Sequence, residues 1–315
     1  MTENKMIATR DAYGSALAEL AAENKNLIVL DADLSGSTKS GVFAKACPER
    51  FFNCGIAEAD MVSVAAGMAA MGKTVFCSSF AVFATGRAFD QIRNSVCYPR
   101  LNVKIVGSHS GITVGEDGGT HQAIADIAIT RSLPNMTVLV PSDAVCARWQ
   151  VKEAAAYDGP VYIRTSRLAA PVIYDDDSQF KWGKGQIVRM GSDIAVFACG
   201  MMVATALEAA DILAAEGIRV AVADIHTIKP LDTDLILDMT ERCGAAVTLE
   251  EHNIIGGLGS AVAETLAGNS AAPFLRVGME DTFGQSGSPA ALLRHFGLDA
   301  ETVATRIKQV LSKKK

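Results

Sequence analysis

Short apolar runs in the first half of the chain are each followed at once by polar side chains. These side chains include Asp33 and Ser37 after run 27–30, Glu58 after run 51–53, His109 after run 103–106 and Arg167 after run 161–163. Carboxylate and imidazole groups transfer protons, and guanidinium groups bind anions. If the runs are parallel strands, their carboxyl ends share one edge of a sheet, where ligands bind. Because polar loops follow strands in any protein, ordinary surface loops remain an alternative.

The segment 107–121, GSHSGITVGEDGGTH, combines five glycines with Asp117, His109 and His121. Glycine lets the backbone approach a ligand closely, so the segment is a candidate binding loop, although a flexible surface loop would look similar. A second glycine-rich stretch, 256–260, imitates part of a dinucleotide fingerprint. Its third glycine is replaced by Val262, which favours a glycine-rich helix entry over a nucleotide site.

These residues lie on an alternation of β-rich runs and alanine-rich helical stretches. We predict strands at 27–30, 74–77, 103–106, 137–140 and 161–163, and helices at 12–23, 57–71, 84–96 and 144–156. Alternation of this kind indicates an α/β fold with a mostly parallel sheet covered on both faces. The pattern breaks at 171–184 and then resumes. The predicted domains are therefore 1–175 and 186–315, joined by a linker at 176–185.

Composition excludes several classes of protein. The chain has 315 residues and a net charge of −6, which argues against nucleic-acid binding through a general basic surface. The longest apolar run, 61–71, is about half the length of a membrane span, so we expect no membrane insertion. The seven cysteines are scattered without a CxxC pair, which indicates free thiols in a reducing cytoplasm and no structural zinc site.

Taken in order, the motifs resemble the C-terminal half of transketolase, a thiamine diphosphate enzyme. The resemblance runs nearly from end to end. Its most specific stretches are CGIAEADMVSVAAG (54–67), SSFAVFATGRAFDQIR (78–93), GSHSGITVGEDGGTHQ (107–122), YIRTSR (162–167), TIKPLD (227–232) and EEHNIIGGLGSAV (250–262). It implies a pyrimidine-binding α/β domain followed by a transketolase C-terminal α/β domain.

The resemblance implies a set of residues that bind the cofactor. Glu58 corresponds to the family's glutamate beside N1′ of the aminopyrimidine ring, and Phe80 and Phe83 correspond to the aromatic wall for that ring, although their spacing alone would favour core packing. His121 corresponds to a position near the 4′-amino group and the reacting carbon. Asp33 corresponds to an acidic residue near the cofactor across the subunit interface. One extra residue near 85–86 leaves a third aromatic contact open.

The resemblance also implies a substrate site. Asp117 corresponds to a residue that binds a substrate hydroxyl group. The positions that hold the terminal phosphate of the sugar are occupied by Arg10, Ser37, His109 and Arg167. Guanidinium, hydroxyl and imidazole groups together suit an oxyanion, so we expect a sugar phosphate or a similar anion such as a sulfonate.

One part of the family pattern is missing. Relatives bind Mg²⁺ and the diphosphate through a GDG motif and a later asparagine, and this sequence contains no GDG. We therefore assign no metal ligand to this chain. We expect a split transketolase in which a separate N-terminal subunit carries the GDG motif and binds Mg²⁺, in an α₂β₂ heterotetramer. The alternatives are the β subunit of a 2-oxoacid dehydrogenase E1 component and a non-catalytic scaffold subunit.

Overall fold

A computed structural model describes residues 5–314. The chain alternates strands and helices along almost its whole length. The strands are β1 (Met6–Ala8), β2 (Leu27–Asp31), β3 (Phe51–Asn53), β4 (Thr74–Phe80), β5 (Val103–Ser108), β6 (Thr137–Leu139), β7 (Val161–Arg164), β8 (Ala169–Pro171), β9 (Gln186–Arg189), β10 (Ile194–Ala198), β11 (Val220–Asp224), β12 (Thr227–Lys229), β13 (Ala246–Asn253) and β14 (Phe274–Met279).

The helices pack on both faces of these strands. They are α1 (Thr9–Glu23), α2 (Ser35–Thr38), α3 (Gly41–Ala46), α4 (Glu58–Ala70), α5 (Ala81–Gly86), α6 (Asp126–Arg131), α7 (Ala144–Ala156), α8 (Met202–Ala214), α9 (Thr233–Cys243), α10 (Leu258–Leu266), α11 (Pro289–His295) and α12 (Ala300–Leu311). Within residues 5–314, no helix is long and apolar enough to cross a membrane.

Two sheets organise the molecule. The first has seven strands in the order β12-β6-β7-β5-β4-β2-β3, and the second has five in the order β14-β13-β10-β11-β9. Within these two sheets, neighbouring strands are parallel except at the edge strands β12 and β9, which run antiparallel to their neighbours. Strands β1 and β8 form a separate antiparallel pair. The α/β fold class with mostly parallel sheets is therefore confirmed.

The two halves of the chain are joined by more than a linker. Residues 172–185 contain no helix or strand, in keeping with the interruption predicted there. Strand β12, however, comes from the second half and completes the edge of the first sheet beside β6. The predicted boundaries at 175 and 186 stay a prediction, and the sheet topology shows that the two halves are interlocked.

The helix predicted at 84–96 is wrong in detail. Helix α5 ends at Gly86, and a π-helix follows at Gln91–Cys97. A π-helix accommodates one additional residue within a helical segment, which fits the extra residue noted near position 85. The other predicted helices of the first half agree with the structure to within three residues at each end. Gly72 follows α4 with φ +83°, as expected of a helix C-terminal glycine.

Both domains have closely packed apolar cores. In the first, the faces of the seven-stranded sheet pack against α1, α4 and α7. In the second, β10, β11 and β13 pack between α8, α12 and α9. All seven cysteines are free, and all but the half-buried Cys54 are buried. The expectation of unpaired thiols in the core is confirmed for those six.

Candidate active site

Glu58 lies at the first position of α4 with its side chain only 3% exposed. Its carboxylate accepts hydrogen bonds from Ser79 Oγ at 3.2 Å and from Arg87 Nη1, which lies 3.2 Å from Oε1 and 3.1 Å from Oε2. A carboxylate buried this deeply needs compensating donors, which Ser79 at the end of β4 and Arg87 beyond α5 provide. The strand and helix ends thus fix the position of both oxygens.

A cavity of about 460 Å³ opens beside Glu58. Its lining includes four of the site residues predicted from the sequence, namely Asp33, Glu58, Phe83 and His121. The edge of the His121 ring meets the Phe83 ring at a centroid distance of 5.2 Å and an angle of 74°. An aromatic face and a buried carboxylate therefore share one cavity, which is the arrangement that a flat nitrogen heterocycle requires.

The two predicted wall residues differ in position. Phe83 lines the cavity directly, whereas Phe80 is buried behind it and stacks on His109 at a centroid distance of 3.9 Å. The two phenyl rings are nearly parallel, 6.0 Å apart. Phe80 therefore connects the cavity to the residues around His109.

Asp33 stands at the rim of this cavity. Its side chain is exposed, and its backbone takes the left-handed conformation with φ +62°. Asn53 Nδ2 donates to Asp33 Oδ1 at 2.8 Å, and the backbone N–H of Asp33 donates to Asn53 Oδ1 at 3.1 Å. This reciprocal pair holds the carboxylate at the surface, where a second chain could reach it.

Arg10, Ser37 and His109 form a compact cluster. Arg10 Nη1 donates to the carbonyl oxygen of Ser37 at 2.9 Å and to His109 Nε2 at 3.1 Å. Because a guanidinium group can only donate, Nε2 accepts, and the His109 Nδ1–H donates to Ser108 Oγ at 2.9 Å. Burial and the charges of Arg10 and Arg167 lower the pKa of His109 to about 3. The ring is therefore a neutral imidazole.

The other two predicted substrate residues, Arg167 and Asp117, make fewer contacts with this cluster. Arg167 lies close enough to lower the pKa of both Arg10 and His109, and its Nη1 donates to the carbonyl of Val114 and lies 3.7 Å from Glu116 Oε2. Asp117 is exposed, and it makes no hydrogen bond or ion pair with another of residues 5–314. Ser37 contributes its carbonyl to Arg10, so its hydroxyl remains available to a ligand.

The backbone N–H groups of the glycine-rich turn at 256–260 already bind a side chain of the same protein. The Glu250 carboxylate accepts the backbone N–H groups of Leu258 and Gly259, both at 2.7 Å. A Cβ at Gly257 would lie 2.0 Å from Glu250 Oε2, so glycine is required there for packing. The interpretation as a glycine-rich helix entry is confirmed, and this turn has no room for a nucleotide phosphate.

Packing against the second domain also explains part of the glycine content of segment 107–121. Gly111 has φ +74°, and a Cβ there would lie 2.3 Å from the carboxylate of Glu251, which accepts the backbone N–H of Thr113 at 2.6 Å. Residues 108–115 are buried. The alternative of a flexible surface loop is wrong for this part, since the second domain covers it, and Gly111 allows close approach to Glu251.

Arg87 was not singled out from the sequence. It contacts Glu58, and its guanidinium carbon lies 4.2 Å from the centroid of the Phe83 ring. The signal that could have found it is its position four residues after Phe83, which places both on one helical face. Among residues 5–314, no group of three or more His, Cys, Asp or Glu side chains could hold a metal ion.

Comparison with known proteins identifies the class to which this fold and site belong. Residues 5–172 match the transketolase pyrimidine-binding domain, and residues 183–303 match the transketolase C-terminal domain. The chain therefore belongs to the transketolase family, which supports a transferase role and dependence on thiamine diphosphate. The resemblance noted in the sequence is confirmed.

Several relatives have the length of this chain. A protein of Methanocaldococcus jannaschii described as a transketolase C-terminal section is 48% identical, with 96% of each chain covered. The 6-deoxy-6-sulfo-D-fructose transketolase subunit SqwH of a Clostridium species is 43% identical over 97% of this chain and 95% of its own. Human transketolase is 41% identical over 98% of this chain, which spans only 49% of that protein.

A solved structure supports the same comparison. A split-gene transketolase, described as an inactive β4 tetramer, superposes with a TM-score of 0.92 and is 51% identical. The match covers 98% of this chain and all of the other.

Proposed function

We propose that the protein is the C-terminal subunit of a split transketolase. Together with a separate N-terminal subunit, it transfers a two-carbon ketol unit from a ketose phosphate to an aldose phosphate. The observation that carries the proposal is the buried carboxylate of Glu58 at a cavity lined by Phe83 and His121, in a chain of the transketolase family. The unpaired thiols support a cytoplasmic location.

The residues of the cavity suit one half of thiamine diphosphate. A carboxylate at its wall can bind a ring N–H, and the adjacent phenyl ring offers a face for stacking. The diphosphate half has no counterpart among these residues, and the sequence lacks the GDG motif by which the family binds it. The donor set therefore fits the aminopyrimidine end and leaves Mg²⁺ and the diphosphate to another chain.

The side chains divide the work of the reaction. When bound, the cofactor supplies an electron sink for the carbanion left by carbon–carbon bond cleavage. Glu58 holds a proton at N1′ of the pyrimidine, which sets the protonation state of the ring. His121 lies at the cavity wall, where its imidazole can exchange a proton with the substrate oxygen. Phe83 orients the ring and excludes water from one of its faces.

A terminal anion of the substrate would bind at the cluster around Arg10. Two guanidinium groups, Arg10 and Arg167, and the free hydroxyl of Ser37 offer donors to a phosphate or a sulfonate. The neutral His109 adds no charge, so the two arginines provide the attraction.

Phe80 lies between this cluster and the cavity residue Phe83, so the cluster suits an anion remote from the reacting carbon. A sugar phosphate has such an anion, whereas the carboxylate of pyruvate adjoins its reacting carbonyl, which supports a transketolase over the β subunit of a 2-oxoacid dehydrogenase.

An N-terminal partner subunit is supported by two observations. The chain spans about half of human transketolase. The split-gene relative that matches the whole chain is a tetramer of one kind of subunit and is described as inactive. We therefore propose an α₂β₂ assembly in which the partner carries the GDG motif, the asparagine and the Mg²⁺ site, and in which Asp33 faces the cofactor across an interface.

The test is reconstitution. The purified chain is assayed with thiamine diphosphate and Mg²⁺, alone and mixed with a candidate N-terminal chain, using xylulose 5-phosphate, a sulfonated ketose or pyruvate as donor. We expect ketol transfer from an anionic sugar only in the mixture. Full ketol transfer by the chain alone, or turnover of pyruvate in preference to the sugars, would contradict the proposal.

A further inference from the structure

Arg87 occupies the part of the cavity that the proposed function assigns to the cofactor ring. Its Nη1 lies 3.1 and 3.2 Å from the two oxygens of Glu58, and its guanidinium carbon lies 4.2 Å from the centroid of the Phe83 ring. The side chain is 52% exposed, whereas Glu58 is buried. Arg87 therefore reaches from solvent across the aromatic face to the carboxylate.

These contacts are the ones that an aminopyrimidine ring would make. A guanidinium group is planar, carries N–H donors in its plane and stacks on aromatic rings. A pyrimidine ring with a proton on N1′ has the same three properties. Both groups would use the Phe83 face for stacking and the Glu58 carboxylate as acceptor, and the two cannot occupy that space together.

We propose that Arg87 acts as an internal competitor of the cofactor, covering Glu58 and Phe83 in the free chain and moving away when the aminopyrimidine ring binds. This inference rests on the proposed function. Covering has a physical advantage, because a buried carboxylate without a partner would destabilise the free chain. Release is feasible because half of the Arg87 side chain is already in water, where its charge is hydrated.

The arrangement also bears on the order of events. Arg87 donates to both oxygens of Glu58, which are the atoms that must accept the N1′ proton when the cofactor is bound. As long as the ion pair persists, both oxygens of Glu58 accept from Arg87 and are unavailable to the ring. Arg87 therefore keeps the site closed until a ligand with its own N–H donor replaces the guanidinium group.

The first experiment measures binding of 4-amino-2-methylpyrimidine, the ring of the cofactor without its diphosphate, to the full-length chain by calorimetry. We expect Arg87→Gln to tighten binding about tenfold, the scale of a lost ion-pair and cation–π competitor. Arg93→Gln is the matched control, since Arg93 is 53% exposed and pairs with Asp90 away from the cavity. Unchanged or weaker binding by Arg87→Gln would overturn the proposal.

A second measurement does not depend on ligand affinity. Carbodiimide labelling of Glu58, followed by peptide mass spectrometry, reports how well Arg87 covers the carboxylate. We expect Glu58 to be labelled several-fold faster in Arg87→Gln than in the wild type or Arg93→Gln. Equal labelling of Glu58 in the wild type and both variants would overturn the proposal. If the pyrimidine probe binds to none of the three proteins, the labelling rates alone decide whether Arg87 covers Glu58.

Glu58→Gln separates the two proposals. If the wild-type chain binds the pyrimidine probe and Glu58→Gln binds it equally well, the cofactor assignment of Glu58 fails, whatever Arg87 does. If Glu58→Gln loses binding while Arg87→Gln behaves as the wild type, the competitor proposal alone fails.

Discussion

The carboxyl edges of the two sheets carry the same kinds of residue in different surroundings. At the edge of the first sheet, Glu58 and His121 line a cavity that opens to solvent. At the edge of the second, Asp224 at the end of β11 and Glu250 and Glu251 in β13 are fully buried. Acidic groups follow apolar strands in both domains, yet the acidic group of the first domain borders a cavity, whereas these three in the second are packed against protein.

The difference comes from what covers each edge. The first domain covers the second sheet: Ser142 Oγ and Tyr174 OH donate to Asp224 Oδ2 at 2.6 and 2.9 Å, and Arg164 Nη2 donates to the carbonyl of Glu251 at 2.9 Å. Strand-end polar groups in the second domain therefore join the domains. In the first domain the corresponding edge instead borders the cavity that Glu58 and His121 line.

The strongest test of this comparison is Glu58→Gln. Glutamine keeps the size of the side chain but cannot hold or release a proton. We expect ketol transfer by the reconstituted enzyme to fall by about 10²–10⁴-fold, the usual contribution of a positioned acid–base group. The measurement is kcat, with circular dichroism as a check on folding. Activity within a few-fold of the wild type would show that the first edge is not catalytic.

The corresponding substitution in a buried pair of the first domain, where Arg164 also contacts the covered edge, should affect stability. Asp126 accepts hydrogen bonds from Arg164 Nε at 2.8 Å and from Tyr162 OH at 2.6 Å, and all three side chains are buried. Asp126→Asn leaves the Arg164 charge without its partner, so we expect the free energy of unfolding to fall by about 3–5 kcal/mol. Urea denaturation measures this change.

The control for that experiment is the exposed pair of Asp238 and Arg242 on α9. Asp238→Asn should lower the free energy of unfolding by at most about 0.5 kcal/mol, as for other exposed helix pairs. Equal losses for Asp126→Asn and Asp238→Asn would mean that burial of the Asp126–Arg164 pair adds nothing to the stability of the fold.

The sequence predicts the first edge well and the second poorly, for physical reasons. Apolar runs and their periodicity indicate parallel strands, and the order of strands then places Glu58, His109 and Arg167 at one edge. In the second domain, the apolar run at 246–249 suggests a strand that stops before Glu250, whereas β13 continues to Asn253. The partner of the Glu251 carboxylate, Thr113, lies far along the chain, so local patterns cannot reveal that this group is buried.

Two further features of the structure could not be predicted from local sequence patterns. Strand β12 has only three residues, which have little tendency to form a strand alone. Its pairing with β6 therefore depends on how the second domain packs against the first. The contact of Arg87 with Glu58 depends on the local geometry of α5 and the π-helix that follows it. Residue types thus indicate the chemistry, and tertiary packing decides which of them are free to perform it.

Arg167→Ala tests the anion cluster with a smaller effect. Removing one of its two guanidinium groups should raise KM for a phosphorylated acceptor about 10–100-fold, the equivalent of one charge-assisted hydrogen bond. KM for a short neutral aldehyde should stay nearly unchanged. Arg148→Ala serves as the control, since Arg148 is an exposed arginine that pairs with Glu19. Equal changes for both acceptors would remove Arg167 from the anion site.

The last prediction concerns how the free energy of unfolding depends on pH through Asp224. Burial raises the pKa of Asp224 to about 7, and the neighbouring Asp143 adds to this rise. In the unfolded chain the pKa returns to about 3.9. Between these values the folded protein holds a proton that the unfolded chain releases. Stability from this group is therefore present at low pH and is lost as pH rises through 7.

Asp224→Asn removes this titration, because an amide has no charge to bury. Ser142 and Tyr174 can still donate to its oxygen. We expect the variant to gain about 2–3 kcal/mol of stability relative to the wild type between pH 5 and pH 8. Urea denaturation at both pH values measures the difference, and Asp238→Asn should show no such gain. If Asp224→Asn lost stability equally at both pH values, Asp224 would be a charged member of the interface, and burial at the covered edge would not exclude an ionised group.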